Sequence, residues 1–211
     1  MSNPLIAIFQ IIVFIFSVMA HEVSHGFAAL RLGDTTAKDA GRLTFNPLVH
    51  LDPFGSFLLP LMLYFISGGS MVFGWAKPVP YDPSRLQNPN KAAGLIAAAG
   101  PISNLVIAAI FGLLIRLSIF FGIGNGTIIL LFNIIVLVNI FLAIFNLVPL
   151  PPLDGSKILF AFLPSSYYNL RVWLERYGFM LLIFFIFFGF QFITPFIGII
   201  YRLFVGSSGI L

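Results

Sequence analysis

"PLIAIFQIIVFIFSVMAHEVSHGFAALRL", residues 4 to 32, opens with an uncharged apolar run and then places His21, Glu22 and His25 within five positions. The stretch exceeds the roughly 20 residues that an α-helix needs to cross a hydrocarbon layer about 30 Å thick. A span must satisfy its own backbone hydrogen bonds, and no alternating barrel pattern appears, so the run is predicted to be helical from Pro4 to Leu32. Gly33-Asp34 ends it. Val18-Met19-Ala20 also resembles a signal-peptide cleavage site, but "MSNPL" carries no Lys or Arg and the helical pattern continues past Ala20.

The rest of the chain agrees with a membrane setting. Of its 211 residues, 59% are hydrophobic and 9% charged, and 26 are Phe. No single water-soluble core could hide that much apolar surface. Further helices are expected at about Asn90 to Phe121, Thr127 to Val148, Tyr167 to Phe190 and Phe192 to Phe204. Residues 54–74, broken by Pro60 and glycines, read as a re-entrant hairpin or a marginal span. The expected fold is an all-α polytopic membrane protein with about five to six transmembrane helices. A small re-entrant or extended segment separates the first two clear helices, and residues 1–211 form a single domain.

The net charge of +4 is too small and too dispersed for a nucleic-acid partner. Basic residues instead flank the apolar segments. If residues 54–74 dip in and return, Lys38, Lys77, Arg85 and Lys157 gather on one side, which the positive-inside rule makes cytoplasmic, with Arg116 near the outer face. Cysteine is absent, which removes thiolate ligands, disulfides and cysteine nucleophiles, so a metal here must be held by His, Asp or Glu.

His21 and His25 stand at i and i+4, on one helix face and about 6 Å apart along the axis. With Glu22 they spell H-E-x-x-H, the pattern of two zinc ligands and a general base. Five residues alone are weakly specific, and a solvated helix end beside Arg31 would also explain them. Three such side chains ending an apolar span favour the metal site, because polar groups at membrane depth are costly.

A catalytic zinc takes three protein ligands and keeps one position open. The remaining candidates are His50, Glu175 and Asp34, Asp39, Asp52, Asp82 and Asp154. Asp154 stands out because "NIFLAIFNLVPLPPLDGSKILF" breaks at Pro149, Pro151 and Pro152 just before it. Prolines bend the chain into a rigid segment that can aim one carboxylate back at its neighbours. The alternative is an ordinary Leu153-Asp154-Gly155 turn at the membrane surface.

H-E-x-x-H in one transmembrane helix, followed over a hundred residues later by "NLVPLPPLDG", resembles the site-2 protease family of intramembrane zinc metalloproteases. "GRLTFNPLVHLDP", "FGWAKPVP" and "AGPISN" are similar to the short, minimal branch of that family, which lacks PDZ and CBS domains. The resemblance implies one Zn²⁺ per chain held by His21, His25 and Asp154, with Glu22 as the catalytic glutamate. It implies that Asn146 assists substrate or oxyanion binding. It further implies cleavage of transmembrane protein substrates within the lipid bilayer, in regulated intramembrane proteolysis, by a multi-pass protein in the plasma membrane of a prokaryote. A membrane metal-binding protein or metal transporter is the alternative, but it calls for more intramembrane carboxylates and a repeated architecture.

Three other features have two readings each. "GWAKPVP" is a candidate edge strand for an unwound substrate, or a surface loop anchored by Trp75 and Lys77. His50 and Asp52 read as a second metal-binding or proton-relay pair or, more simply, as structural turn residues that position the polar segment near the site. Asn104 in "GPISN" reads as a helix-packing or kink partner and ranks below Asn146 as a site residue.

Overall fold

The computed structural model describes residues 4–50 and 77–206, together with residues 52, 58, 62 and 65. Among these residues every regular element is helical. Four stretches are long and apolar enough to cross a membrane: Pro4–Arg31, Pro89–Phe120, Gly126–Leu147 and Ser165–Val205. The first three are α1, α4 and α5. Two single-turn helices, α2 (Thr36–Asp39) and α3 (Pro47–His50), follow α1, and the short α6 (Asp154–Phe162) follows the proline segment. The chain is thus an all-helical polytopic membrane protein. Of the expected segments, the re-entrant stretch 54–74 and Trp75 fall almost entirely outside the described residues.

Where a break was expected near residue 191, the last crossing is continuous. Helix α7 (Tyr168–Phe184) passes through a π-helical turn at Phe185–Gly189 into α8 (Phe190–Val205). Gly189 has no Cβ, and the Phe185 ring lies against its Cα where a side chain would collide. The widened turn absorbs the irregularity without ending the helix.

The core lies where α4, α5 and α8 meet, around Ala108, Ile115, Val136, Ile140, Ile193, Tyr201 and Val205. Tyr201 donates from its hydroxyl to Asn133 Oδ1 at 2.7 Å, tying α8 to α5. Phenylalanines and isoleucines on the outer faces, such as Phe120, Phe179, Phe192 and Ile199, are exposed. In a bilayer they meet lipid, which is as apolar as they are.

The two ends of the bundle differ in charge. Arg85 contacts Asp39 and Asp82, Arg171 donates to Asn90, and Lys157 lies near Asp154 and over the Tyr81 ring, so these basic residues share one end. At the other, Arg116 donates to the Arg202 and Leu203 carbonyls. The chain leaves the charged end at His50 and is found there again at Lys77, whose N–H donates to the His50 carbonyl at 2.8 Å. Buried Arg42 reinforces this closure by donating to the Val49, Lys77 and Pro78 carbonyls.

Asp34, just past α1, fastens the same end. Its carboxylate accepts from Thr36 N at 2.9 Å, Thr36 Oγ1 at 2.5 Å and Asp82 N at 2.7 Å. Burial pushes this carboxyl up, but the Thr36 and Asp82 donors and nearby Arg85 outweigh burial and hold it below the usual carboxylate range.

Candidate metal centre

Helices α1 and α4 run antiparallel, and each presents a stripe with four-residue spacing to the other. Ser17, His21 and His25 ascend one face of α1, while Asn104, Gly100 and Ile96 descend the facing side of α4. His25 donates from Nδ1 to the Ile96 carbonyl at 2.7 Å. Pro101 has no N–H to return to the preceding turn, which loosens the helix next to that carbonyl. Gly100 provides the room for both rings. A Cβ there would lie 2.5 Å from His21 Nε2 and from His25 Cε1.

His21 is held by Asn104, whose Oδ1 lies 2.7 Å from His21 Nδ1. The orientation of this amide follows from its other bonds. Asn104 Nδ2 donates to the Ser17 carbonyl at 3.2 Å and to Asn139 Oδ1 at 2.9 Å, leaving Oδ1 as the acceptor facing the imidazole. Asn139 in turn donates to Ser17 Oγ and to the Ile135 carbonyl, both at 2.9 Å. Asn104 and Asn139 are fully buried.

The third arm arrives from the far end of the sequence. After α5, Pro149 to Leu153 turn the chain, with the Pro151–Pro152 peptide cis, and Asp154 begins α6. Gly155 lies so close to the Leu147 and Val148 carbonyls that no side chain fits, and Gly178 of α7 packs against Pro151. Clamped on both sides, Asp154 places Oδ2 at 2.9 Å from His21 Nε2 and 3.2 Å from His25 Nε2. Lys157 Nζ lies 3.9 Å from its other oxygen.

This donor set fits a zinc ion. Both Nδ1 atoms face acceptors, so each ring in its neutral form would present a lone pair at Nε2, and a carboxylate oxygen faces them. Three lone-pair atoms within 4.8 Å of one another call for a cation among them. Zinc bonds of 2.0–2.1 Å in a tetrahedron put neighbouring ligand atoms about 3.3 Å apart, close to the separations from Asp154 Oδ2.

Glu22, beside the cluster, accepts from the Val79 N–H at 3.0 Å through Oε2. The segment that carries Val79 is therefore tied directly to the glutamate. The other expected site residue, Asn146, is partly buried and donates from Nδ2 to the Leu142 carbonyl of its own helix at 2.9 Å. His50 is buried, with Nε2 2.8 Å from the Thr44 carbonyl, in keeping with a structural turn. Asn104, expected to rank below Asn146, and Gly100, which was not expected at the site, both contribute to it. Their signal lay in "AGPISN": a Gly and an Asn four apart share one helix face.

Four helices apolar enough to cross a membrane, with a largely buried His–His–carboxylate cluster able to hold a metal ion, define an integral membrane protein with a candidate metal centre. Comparison with known proteins gives its family. Residues 122–188, which include Asn146 and Asp154, match the model for peptidase family M50. The chain is 38% identical over 180 residues to YwhC of Bacillus subtilis, covering 82% of this chain and 77% of that protein. It is 31% identical over 162 residues to MJ0611 of Methanocaldococcus jannaschii, 72% of each chain. It is 26% identical over 167 residues to Rip2 of Mycolicibacterium smegmatis, 79% of this chain and 62% of that one. Each of the three carries the name "Putative zinc metalloprotease". No solved structure matches. The chain belongs to peptidase family M50, the site-2 protease family of zinc metalloproteases.

Proposed function

We propose that residues 1–211 form a single intramembrane endopeptidase domain. In this reading it hydrolyses peptide bonds within or near transmembrane segments of other membrane proteins, in regulated intramembrane proteolysis. The observation that carries the reading is the approach of Asp154 Oδ2 to both His Nε2 atoms, in the case of His21 across 133 residues of sequence separation. His21, His25 and Asp154 would hold one zinc ion. A zinc ion so held supplies Lewis acidity, polarising a peptide carbonyl and making water acidic enough to lose a proton near neutral pH.

The chain's own groups then divide the remaining work. Glu22 is the general base: the Val79 N–H fixes Oε2, which leaves Oε1 to take a proton from water and pass it to the leaving amine. Asn146, on the helix that leads into the Asp154 segment, is the amide donor for the substrate backbone or the developing oxyanion. The cluster stands at the charged end of the bundle, so water reaches it from that side. The positive-inside rule makes that side cytoplasmic, and the bacterial and archaeal relatives suit the plasma membrane of a prokaryote.

Glu22→Gln separates hydrolysis from metal binding. It keeps size and removes the base, so purified protein should retain about one zinc and lose cleavage of a membrane-segment substrate. Persistent proteolysis in the variant would refute the assignment of Glu22.

A further inference from the structure

The contact of Asn104 with His21 has no part in the hydrolytic scheme above, yet it is the more specific of the two imidazole anchors. His25 is held by a backbone carbonyl, which many side chains at position 96 would supply equally well. His21 is held by a side chain 83 residues away, on another helix, in a fully buried position. That side chain is itself locked. Both protons of its Nδ2 group are committed, one to the Ser17 carbonyl and one to Asn139 Oδ1, and Asn139 is pinned by Ser17 Oγ and Ile135 O. A free amide could present either its oxygen or its nitrogen to the ring. Here the nitrogen is satisfied elsewhere, so only the oxygen faces Nδ1.

We infer that Asn104, oriented by Asn139 and Ser17, is a positioning residue for the metal centre: it fixes His21 as the Nδ1–H tautomer with Nε2 aimed at Asp154. The inference rests on the reading of His21 as a metal ligand and adds to it a chain of three side chains from α1, α4 and α5. The ring nitrogen that binds metal is chosen by the hydrogen bond made at the other nitrogen. An apolar residue at 104 would leave His21 free to turn its ring or to protonate Nε2 instead, and either change removes the lone pair from the site. Outer partners of this kind are worth about 10- to 100-fold in metal affinity. Asn139 touches the amide but not the imidazole, so its effect is transmitted and smaller.

The test uses the full chain in detergent, with Asn104→Leu, Asn104→Asp and Asn139→Ala. Leu is close to Asn in size but offers no acceptor, whereas Asp keeps an oxygen facing Nδ1. Zinc affinity is measured by competition with a chromogenic chelator, ligand geometry by the visible absorption of the Co²⁺-loaded protein, and folding by thermal stability of the metal-free protein. Asn104→Leu should bind zinc about 10- to 100-fold more weakly and shift the Co²⁺ bands, with metal-free stability near that of the parent. Asn104→Asp should recover most of the affinity, and Asn139→Ala should fall between Leu and parent. Parent-like zinc affinity in Asn104→Leu overturns the inference. So does an equal loss in Leu and Asp that tracks a fall in metal-free stability, since that describes packing alone. Absence of zinc binding in the parent would overturn the ligand reading and this inference with it, an outcome distinct from the other two.

Discussion

Gly100→Ala adds one methyl group at the point where the metal centre is tightest. The new Cβ would lie 2.5 Å from His21 Nε2, 2.5 Å from His25 Cε1 and 2.6 Å from His21 Cε1, whereas ordinary contact begins near 3.4 Å. The rings, or the helices behind them, must therefore move by about 1 Å. A metal site tolerates only about 0.2 Å in its bond lengths. The rings cannot swing aside cheaply, because each is held by its Nδ1 bond and faces Asp154. Overpacking of this kind costs about 1–3 kcal/mol. At 1.4 kcal/mol per tenfold, zinc affinity should fall about 5- to 140-fold. The sign is informative, because Ala is about 0.8–1.0 kcal/mol better than Gly inside a helix and propensity alone would stabilise the variant. Gly198→Ala is the control: Gly198 also lies in a helix, with nothing within 4 Å of its Cβ position, and zinc affinity should be unchanged. Chelator competition on both variants decides the matter. Parent-like zinc affinity in Gly100→Ala would show that the rings do not sit over this glycine when metal is bound.

Asp154→Ala should cost more zinc affinity than the about 10- to 100-fold expected of an outer partner, read by metal analysis; unchanged zinc would remove it as a ligand and reopen His50 and Asp52. Asn146→Ala should keep zinc and near-parental stability while slowing cleavage about 10²-fold, whereas Asn139→Ala, which opens the buried amide chain, should lower zinc affinity; equal losses of stability in both would favour packing roles for both. The Asp34 carboxyl is held below its ordinary value, so its stabilising contribution is complete above the unfolded value near 4 and disappears as pH falls through the lower folded value. Thermal melts of chelated protein from pH 7 to pH 3 should therefore show a shallower acid decline in Asp34→Asn than in the parent, and identical slopes would refute the role. Cysteines introduced at Lys38 and Arg85 should label from the same face of the membrane, since Arg85 contacts Asp39 next to Lys38; labelling from opposite faces would contradict the shared charged end.

Hydropathy by itself determined the membrane class and the approximate position of the four described crossings, because a span has to be apolar along most of its length whatever it packs against. Helical periodicity put His21 and His25 on one face, and the proline run marked the segment that delivers Asp154, since both signals are local. One boundary was misplaced: separate helices were expected at about Tyr167 to Phe190 and Phe192 to Phe204, and a π-helical turn carries the helix through instead. The choice between asparagines was beyond the sequence. Asn104, Asn139 and Asn146 all lie in apolar helices, and spacing shows which of them share a face without showing what that face meets. Only the antiparallel register of α1 against α4 brings Asn104 to His21 and Gly100 beneath both rings, while Asn146 bonds within its own helix. Helix rotation and register are set by packing summed over the whole bundle, and that sum is not written in any short stretch of the chain.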